Sequence, residues 1–357
     1  MRKSLSRIIA STFCLNLAHA AYPPPEPIQG TIPGSINSTL DPGLIRRASD
    51  GKLFLYTTPN DLTVFTSSSL SGPWTQEPNT ALYNHNDLGP GNHGAPAMYR
   101  VGDTYYLYFN GHNASANPTP GQDGLIGVAT STTLEPGGWD VKGYLDVTWR
   151  PKYNILDATV LLQQDHQNLL GFGSYQDGIF AIPLADPPTA IAANANDDVR
   201  WLAFNGTANE TFDGRMDVEG SYLFPRGDYY YLFFSSGECC KRSGDDVSDP
   251  STWSWGDAGQ VYKVFVCRSQ NLSGGFVDRD GRDCVHESGG TEVLASHGNV
   301  WAPGGQGVLQ DDEIGGVVLY YHYVLADQKN NQDVPYRFGW NKLDFGDDGW
   351  PTAVSVD

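Results

Sequence analysis

Three acidic residues stand at matching positions before short apolar runs. Asp41, Asp157 and Glu219 each lie three residues before the first apolar residue of such a run. Carboxylates held close together repel and desolvate one another, which raises at least one pKa. A protonated carboxylic acid beside an ionised carboxylate is the pair used to hydrolyse glycosidic bonds. Taken singly, each residue is explained more simply as a turn or loop residue, so the prediction depends on the fold.

The apolar runs belong to a repeated unit of strand, turn, strand, loop and strand. Five copies begin near residues 44, 97, 159, 218 and 307. Such a repeat indicates a β-propeller, because a single small sheet cannot bury both faces and must stack against its neighbours. A β-sandwich is the alternative, although it would not require the repeat. The predicted fold is all-β, a five-bladed β-propeller forming one domain over residues 21–357.

Propeller geometry would bring the three carboxylates together. Equivalent residues of different blades occupy equivalent places around the axis, so carboxylates before the innermost strands would converge at one mouth of the central channel. Ala95 and Gly305 stand at this position in the second and fifth copies. The acidic residues are therefore not a general requirement of the repeat.

The first twenty residues have the pattern of a secretory signal peptide. Arg2, Lys3 and Arg7 form a basic start, residues 8–17 an apolar run, and Ala18-His19-Ala20 a small-x-small cleavage site. No later run of about 18 apolar residues exists that could span a membrane. We therefore expect the protein to be secreted and extracellular.

The formal net charge is −19. Nucleic acids and anionic membranes repel a polyanion, so we expect neither as a partner. The charge suits a monomer that acts on a neutral or weakly charged substrate.

Four cysteines remain after the predicted signal peptide: Cys239, Cys240, Cys267 and Cys284. An even number in an oxidising compartment predicts two disulfides, and three pairings are possible. The spacing is not that of a zinc module. Five Asn-X-Ser/Thr sequons predict a glycoprotein. They begin at Asn37, Asn113, Asn205, Asn209 and Asn271.

Several stretches resemble motifs of the family 43 glycoside hydrolases, and most closely those of its endo-1,5-α-L-arabinanases. The resemblance extends over essentially the whole mature chain. The stretches are residues 41–45, 153–158, 218–222, 296–298 and 303–307. The resemblance implies a five-bladed propeller, in agreement with the repeat count, and arabinan or a related plant polysaccharide as the substrate.

The resemblance also implies roles for the three carboxylates. Asp41 would be the general base that activates water, and Glu219 the general acid that protonates the leaving oxygen. Asp157 would orient the acid and hold its pKa up. Members of the family invert the anomeric configuration, so the base and acid should stand about 6.5–9.5 Å apart.

His297 corresponds to a histidine that lies near a channel-bound metal in related arabinanases, often calcium with mostly water ligands. The resemblance therefore implies a possible calcium ion in the central channel. A hydrogen-bonded loop histidine is the alternative, because calcium prefers oxygen ligands. His322, inside a Tyr-rich strand, is expected to be a packed core residue.

Three positions depart from the family pattern. Leu40 replaces a His before the base, Gly94-Ala95-Pro96-Ala97 replaces Trp-Ala-Pro-Asp, and Tyr175-Gln176 stands where many members have Trp. Aromatic rings supply the stacking surface of a sugar groove, and Tyr175, Trp149 and Trp301 could compensate, unless they pack inside blades. Asn154, in the second motif, is the third predicted substrate-binding residue.

The sequence thus predicts a secreted inverting hydrolase with endo activity on α-1,5-linked arabinan. Two alternatives stay open. One is an exo-acting α-L-arabinofuranosidase or β-xylosidase of the same family. The other is a carbohydrate-binding propeller without turnover, against which the presence of all three carboxylates argues.

Overall fold

The structure is a computed structural model that describes residues 22–29, 39–85, 88, 93–112, 123–162, 167–205, 218–240, 254–287, 289–331 and 334–356. The predicted signal peptide, residues 1–20, and the sequons at Asn37, Asn113 and Asn209 lie outside these residues. None of the helices found in the described ranges has the length and apolar character needed to cross a membrane. The short helical elements there include a four-residue turn, α1 (Pro59–Leu62), and a 3₁₀ turn (Ala195–Asp197).

The described residues form twenty strands in five antiparallel sheets of four, and strand order follows chain order in each sheet. Blade 1 contains β1 (Gly43–Arg46), β2 (Leu53–Thr57), β3 (Thr63–Ser67) and β4 (Thr75–Gln76). Blade 2 contains β5 (Gly94–Val101), β6 (Thr104–His112), β7 (Gly124–Ser131) and β8 (Asp140–Tyr144). Blade 3 contains β9 (Thr159–Leu161), β10 (Leu169–Phe172), β11 (Ile179–Pro183) and β12 (Arg200–Ala203). Blade 4 contains β13 (Val218–Arg226), β14 (Tyr229–Ser236), β15 (Lys263–Ser269) and β16 (Thr291–Leu294). Blade 5 contains β17 (Val300–Asp311), β18 (Gly316–Leu325), β19 (Arg337–Phe345) and β20 (Pro351–Val354).

The first strand of each blade is innermost. β1 contacts β5, β5 contacts β9, β9 contacts β13, β13 contacts β17, and β17 contacts β1. The five blades therefore close into a ring, and the predicted five-bladed β-propeller is confirmed.

The hydrophobic core is divided among the blade interfaces. Five large clusters of buried side chains each join two successive blades, including the last and the first. Tyr108 of blade 2 and Phe172 of blade 3 share one cluster, and Leu55 of blade 1 and Trp340 of blade 5 share another. Burying a large apolar side chain stabilises a fold by roughly 1.5–3 kcal/mol. Because both faces of a blade are covered by its neighbours, its strands are aromatic and aliphatic throughout.

The turn between β13 and β14 follows from its sequence. Arg226 pairs with Tyr229, which leaves Gly227 and Asp228 as a two-residue loop. Gly227 has a φ of 58°, a left-handed conformation that suits the tight hairpins joining antiparallel strands. This hairpin is the turn of the predicted strand-turn-strand unit.

The segment of residues 22–29 bridges the last and first blades. The Glu26 N–H donates to the Trp340 carbonyl of blade 5 at 2.9 Å, and the Gln29 N–H donates to the Ser71 carbonyl of blade 1 at 2.7 Å. This segment reinforces the junction where the ring closes, because no covalent connection between blades exists there.

Both predicted disulfides form. Cys267 pairs with Cys284, seventeen residues later, and both are fully buried. Cys239 pairs with its direct neighbour Cys240.

Two of the sequons lie in the described part of the chain, and they differ in burial. The Asn205 side chain is 4 % exposed and donates to the Ser236 hydroxyl, whereas Asn271 is exposed in a turn. We expect a glycan on Asn271 and none on Asn205 after secretion from a fungal host, because only the exposed amide tolerates a bulky group. Peptide mapping after deglycosylation in heavy-oxygen water checks this. A glycan found on Asn205 would contradict the buried position.

Candidate active site

Every innermost strand has a left-handed residue either just before it or at a break in its pairing with the second strand. These residues have φ values of 48°, 41°, 58°, 59° and 55°, and they are Asp41, Ala95, Asp157, Gly220 and Gly305. Each is followed two residues later by a residue paired with the second strand of its blade. Non-glycine residues in this conformation are uncommon and cost free energy, so three of them at one end of a channel indicate a functional site.

The N–H group of each of these five residues donates a hydrogen bond to a polar side chain of the preceding blade. The pairs are Ala95 with Thr58 at 2.9 Å, Asp157 with Asn110 at 2.8 Å, Gly220 with Asp157 at 3.1 Å, Gly305 with Ser235 at 2.9 Å, and Asp41 with His322 at 3.0 Å. A closed ring of hydrogen bonds therefore crosses all five blade interfaces. We call this set the interblade ring.

One acceptor of the interblade ring differs in kind. In four blades the accepting side chain belongs to a residue near the end of the second strand. In blade 3 the corresponding residue is Gly173, opposite Leu156. Because glycine has no side chain, the carboxylate of Asp157 accepts the Gly220 N–H instead. Asp157 is thus both donor and acceptor in the ring.

Glu219 is displaced by one residue from the register expected from the sequence. The position of Asp41 and Asp157 is taken in blade 4 by Gly220, and the register of β13 against β14 shifts between Glu219 and Tyr222. Such a bulge redirects side chains at the rim of a sheet. Ala95 and Gly305 do stand in register with Asp41, as expected.

The Glu219 carboxylate lies in a pocket of hydroxyl groups. It is 5 % exposed, the Tyr262 hydroxyl donates to Oε1, and the Ser174 hydroxyl donates to Oε2. Burial and the charges of the nearby carboxylates, Glu219 first, raise the pKa of Tyr262 well above its usual value. Tyr262 therefore stays protonated and orients the carboxylate as a donor.

Asp157 is held from two sides. The Asn110 amide donates to Oδ1 at 2.8 Å, and the Gly220 N–H donates to Oδ2. Burial raises the pKa of Asp157, and these two donors oppose the rise. Because Gly220 follows Glu219, the second bond also fixes the backbone that carries Glu219.

Asp41 retains 32 % of its side-chain exposure and faces the channel. The Thr58 hydroxyl donates to Oδ2 at 2.6 Å. Burial and the neighbouring charge of Asp157 raise the pKa of Asp41 to about 7, against the opposing effect of the Thr58 hydrogen bond. Asp41 and Asp157 are therefore close enough to influence one another's ionisation.

His322 was expected to be a core residue, and it is fully buried, yet it also contacts the site. Burial lowers the pKa of His322 to about 3, so the ring is neutral at working pH. Its Nδ1 accepts the Asp41 N–H, which places the ring proton on Nε2. The Tyr262 ring lies over His322 with centroids 5.9 Å apart.

A pocket opens at this end of the channel, and its empty space, including open solvent at the mouth, is about 470 Å³. Its lining includes Asp41, Asp157, Ser221, Tyr222, Tyr262 and Tyr320. Asp41 and Asp157, two of the three predicted carboxylates, thus line this pocket directly. Glu219 accepts a hydrogen bond from Tyr262, which also lines it.

The three predicted substrate-binding residues lie in different settings. Tyr175 follows Ser174, the donor to Glu219, and has a left-handed φ of 60°. Asn154 is 5 % exposed and its Oδ1 is buried without a hydrogen-bond partner. Trp301 is partly buried, and the Lys329 ammonium lies 3.2 Å above its ring centroid. Their contact with substrate stays a prediction.

His297 lies outside the cavity lining. Its Nδ1 is 2.7 Å from the Ala295 carbonyl and its Nε2 is 2.9 Å from the Pro23 carbonyl, so both ring nitrogens have protein partners. Among the described residues, no group of three or more His, Cys, Asp or Glu side chains could hold a metal ion. His322 carries its proton on Nε2 and uses Nδ1 for Asp41. These side chains alone do not supply the six to eight oxygen ligands that calcium takes, so a channel calcium held mostly by water stays a prediction.

The departure at Gly94 has a steric cause. A Cβ atom at this position would lie 2.8 Å from Cγ2 of Thr58, closer than real Cβ contacts. The larger residue of the family pattern is thus excluded by the side chain that holds Asp41. Thr58, Asn110, Ser174 and Tyr262 are site residues that the sequence reasoning missed.

The arrangement can perform acid–base chemistry on a bond placed across the channel mouth. One carboxyl group titrates near neutrality, a second carries two N–H donors, and a third is buried among hydroxyl groups. Carboxyl groups kept in such different environments are those of a glycoside hydrolase, and a five-bladed propeller with this site defines that class.

Comparisons with known proteins agree. The profile described as glycosyl hydrolases family 43 matches residues 31–351. Arabinan endo-1,5-alpha-L-arabinosidase A of Aspergillus aculeatus is 40% identical, and the alignment covers 98% of this chain and 99% of that protein. A probable arabinan endo-1,5-alpha-L-arabinosidase C of Aspergillus flavus is 41% identical over 90% of this chain and 94% of its own. The Cellvibrio cellulosa alpha-L-arabinanase structure has a TM-score of 0.70 at 24% identity, covering 89% of this chain and 95% of that one. The chain therefore belongs to glycosyl hydrolase family 43.

The raised pKa of Asp41 has a consequence for stability. Between an unfolded value near 3.9 and the folded value of about 7, the folded state binds more protons, so stability falls as pH rises through this range. We expect Asp41→Asn to raise Tm at pH 8 by roughly 2–4 °C and to change it little at pH 4. Asp103→Asn, at a fully exposed carboxylate, controls for the lost negative charge. Equal Tm changes at both pH values would contradict the assignment.

Proposed function

We propose that this glycoside hydrolase cleaves internal α-1,5-L-arabinofuranosidic linkages of arabinan. The observation that carries the proposal is its 40% identity, over nearly the full length of both chains, to the Aspergillus aculeatus protein named arabinan endo-1,5-alpha-L-arabinosidase A. The three carboxylates at the channel mouth supply the machinery that such hydrolysis needs.

In the proposed reaction Asp41 removes a proton from water as the water oxygen attacks the anomeric carbon. Glu219 gives its proton to the glycosidic oxygen, the bond between carbon and that oxygen breaks, and the configuration inverts. A base works best when its pKa lies near the working pH, and a pKa of about 7 for Asp41 suits this role.

Asp157 supports both partners in this proposal. Its charge contributes to the raised pKa of Asp41, and its Oδ2 accepts the N–H of the residue that follows Glu219. An ionised Asp157 would also disfavour ionisation of Glu219 before proton transfer, because like charges repel. Ser174 and Tyr262 would stabilise the Glu219 carboxylate once it has lost its proton.

We further propose that the protein is exported by residues 1–20 and acts outside the cell as a monomer. The two disulfides support export, since such bonds persist in oxidising compartments.

A time course of products from linear arabinan tests the substrate and the mode of cleavage. We expect a ladder of arabino-oligosaccharides at early times, because an endo enzyme cuts within the chain, and no products from xylan. Chromatography of samples taken before one tenth of the substrate is consumed makes the distinction. Arabinose as the only early product would instead establish an exo-acting enzyme, and no product at all would refute arabinan hydrolysis.

Glu219→Gln is the matched control for this experiment, since it keeps the shape of the side chain but cannot donate the acid proton. Hydrolysis should fall by about 10²–10⁴-fold, as for loss of general acid catalysis. Binding of arabino-oligosaccharides should persist. Unchanged hydrolysis would remove Glu219 from the mechanism.

Thr58 offers a test of the base. Thr58→Val removes the hydroxyl that donates to Asp41, so the pKa of Asp41 should rise and the acidic limb of kcat/KM should move up by about one pH unit. Thr58→Ser keeps the hydroxyl and should leave the limb in place. Equal shifts in both variants, or none in either, would show that Asp41 does not set the acidic limb.

A further inference from the structure

The disulfide between the neighbouring residues Cys239 and Cys240 has no evident role in stability. A disulfide stabilises a fold mainly by closing a loop of the unfolded chain, and a bond between adjacent residues closes almost none. The buried Cys267–Cys284 bond, by contrast, spans seventeen residues. A different role is therefore needed for the adjacent pair, in which both residues are partly exposed.

One side of this disulfide lies next to the surroundings of Glu219. Cys239 packs against a small buried cluster formed by Val261, Tyr262 and Ala302. Tyr262 in this cluster lines the channel cavity and donates to Glu219. One side of the disulfide therefore packs against the cluster that contains the hydrogen-bond donor to the proposed acid.

The other side lies next to the surroundings of Asp41. The Cys239 carbonyl accepts a hydrogen bond from the Tyr336 hydroxyl. The Tyr336 ring meets His322 edge to face, with centroids 5.1 Å apart, and His322 accepts the Asp41 N–H. The Cys239 backbone is therefore linked through Tyr336 and His322 to the proposed base.

One aromatic ring near this disulfide is already covered. Trp301, which packs against the same cluster, has the Lys329 ammonium over its ring, so that face is closed to a sugar. Sulfur atoms are polarizable and make favourable contacts with apolar groups. A disulfide between neighbours presents both sulfurs on one short, rigid segment, a surface that matches the C–H face of a five-membered sugar ring.

We propose that the Cys239–Cys240 disulfide is a sugar-binding surface that contacts a pentofuranosyl unit next to the scissile linkage. This inference rests on the proposed function, because it needs an arabinan chain in the cleft. It assigns the disulfide to substrate affinity and leaves the chemical step to the carboxylates.

The test compares two double variants on 1,5-linked arabinohexaose. Cys239→Ala/Cys240→Ala should raise KM by about 5–20-fold with kcat and its pH profile unchanged, the size expected for one lost apolar contact. Cys267→Ala/Cys284→Ala should lower Tm without changing KM, because that bond is buried and closes a longer loop.

Each result decides between two roles. An unchanged KM in an active adjacent-pair variant would overturn the sugar contact. A fall in kcat with a shifted pH profile would also overturn it, since the disulfide would then act by positioning Tyr262 or Tyr336. A wild-type enzyme without activity on arabinohexaose would refute the proposed function itself, and with it this inference.

A second measurement covers the case in which the variant does not fold. In the Glu219→Gln protein, a bound sugar should shield the exposed disulfide, so arabinohexaose should slow its reduction by a water-soluble phosphine by at least about fivefold. Mass spectrometry of alkylated Cys239 and Cys240 measures the rate, and xylohexaose serves as the control sugar. Equal rates with arabinohexaose, with xylohexaose and without sugar would overturn the proposal.

Discussion

The interblade ring is the constraint on which the site depends. Each innermost strand has, just before it or at a break in its pairing, a left-handed residue whose N–H donates across the blade interface. A buried N–H without a partner is costly, so a donor at each of these five places requires an acceptor from elsewhere. The preceding blade supplies that acceptor every time. The same hydrogen bonds therefore join the blades into a ring and fix the backbone at the channel mouth.

This constraint explains why carboxylates can be placed there at all. Burying a carboxylate costs free energy unless donors surround it, and Asp157 and Glu219 each receive two. Asp41 receives one side-chain donor and the charge of Asp157, and its pKa is raised to about 7. The differences among the three environments follow from which neighbours each blade contributes.

The fold could be predicted from the sequence because the blades repeat. Strand, turn and strand recur with aromatic runs such as residues 229–234, and turns such as Gly227-Asp228 mark the hairpins. The assignment of Asp41 and Asp157 to equivalent places followed from the same repeat. Glu219 was misaligned by one residue, because the aromatic Tyr222 was counted as the first apolar residue of its run, whereas it corresponds to Gly43 and Thr159 of blades 1 and 3.

The acceptors of the interblade ring were missed for a different reason. Thr58, Asn110, Ser235 and His322 are each a polar residue at the end of an aromatic second strand, a signal that is present in the sequence. The signal becomes meaningful only when blades are compared at this position and the next blade is known to lie against it. His322 illustrates the difficulty, since it is at once a fully buried residue and the partner of Asp41. Tyr262 follows no repeat, because it enters from the loop between β14 and β15.

The interblade ring also distinguishes the backbone positions that the fold requires from the side chains that can differ between blades. Backbone donors and their acceptors fix the left-handed residues, whether the residue is Asp, Ala or Gly, so the side chain at each place is free to be catalytic or absent. Of the predicted substrate-binding residues, Asn154 and Tyr175 lie on loops outside the paired strands, whereas Trp301 lies in β17. At Gly94 the interblade ring limits the residues that can line the groove. There the side chain of Thr58, needed by Asp41 and Ala95, takes the space of a larger residue. Aromatic surface lost at that point must come from another blade, and blade 4 carries its partly exposed disulfide on the loop that leads from β14 towards Tyr262.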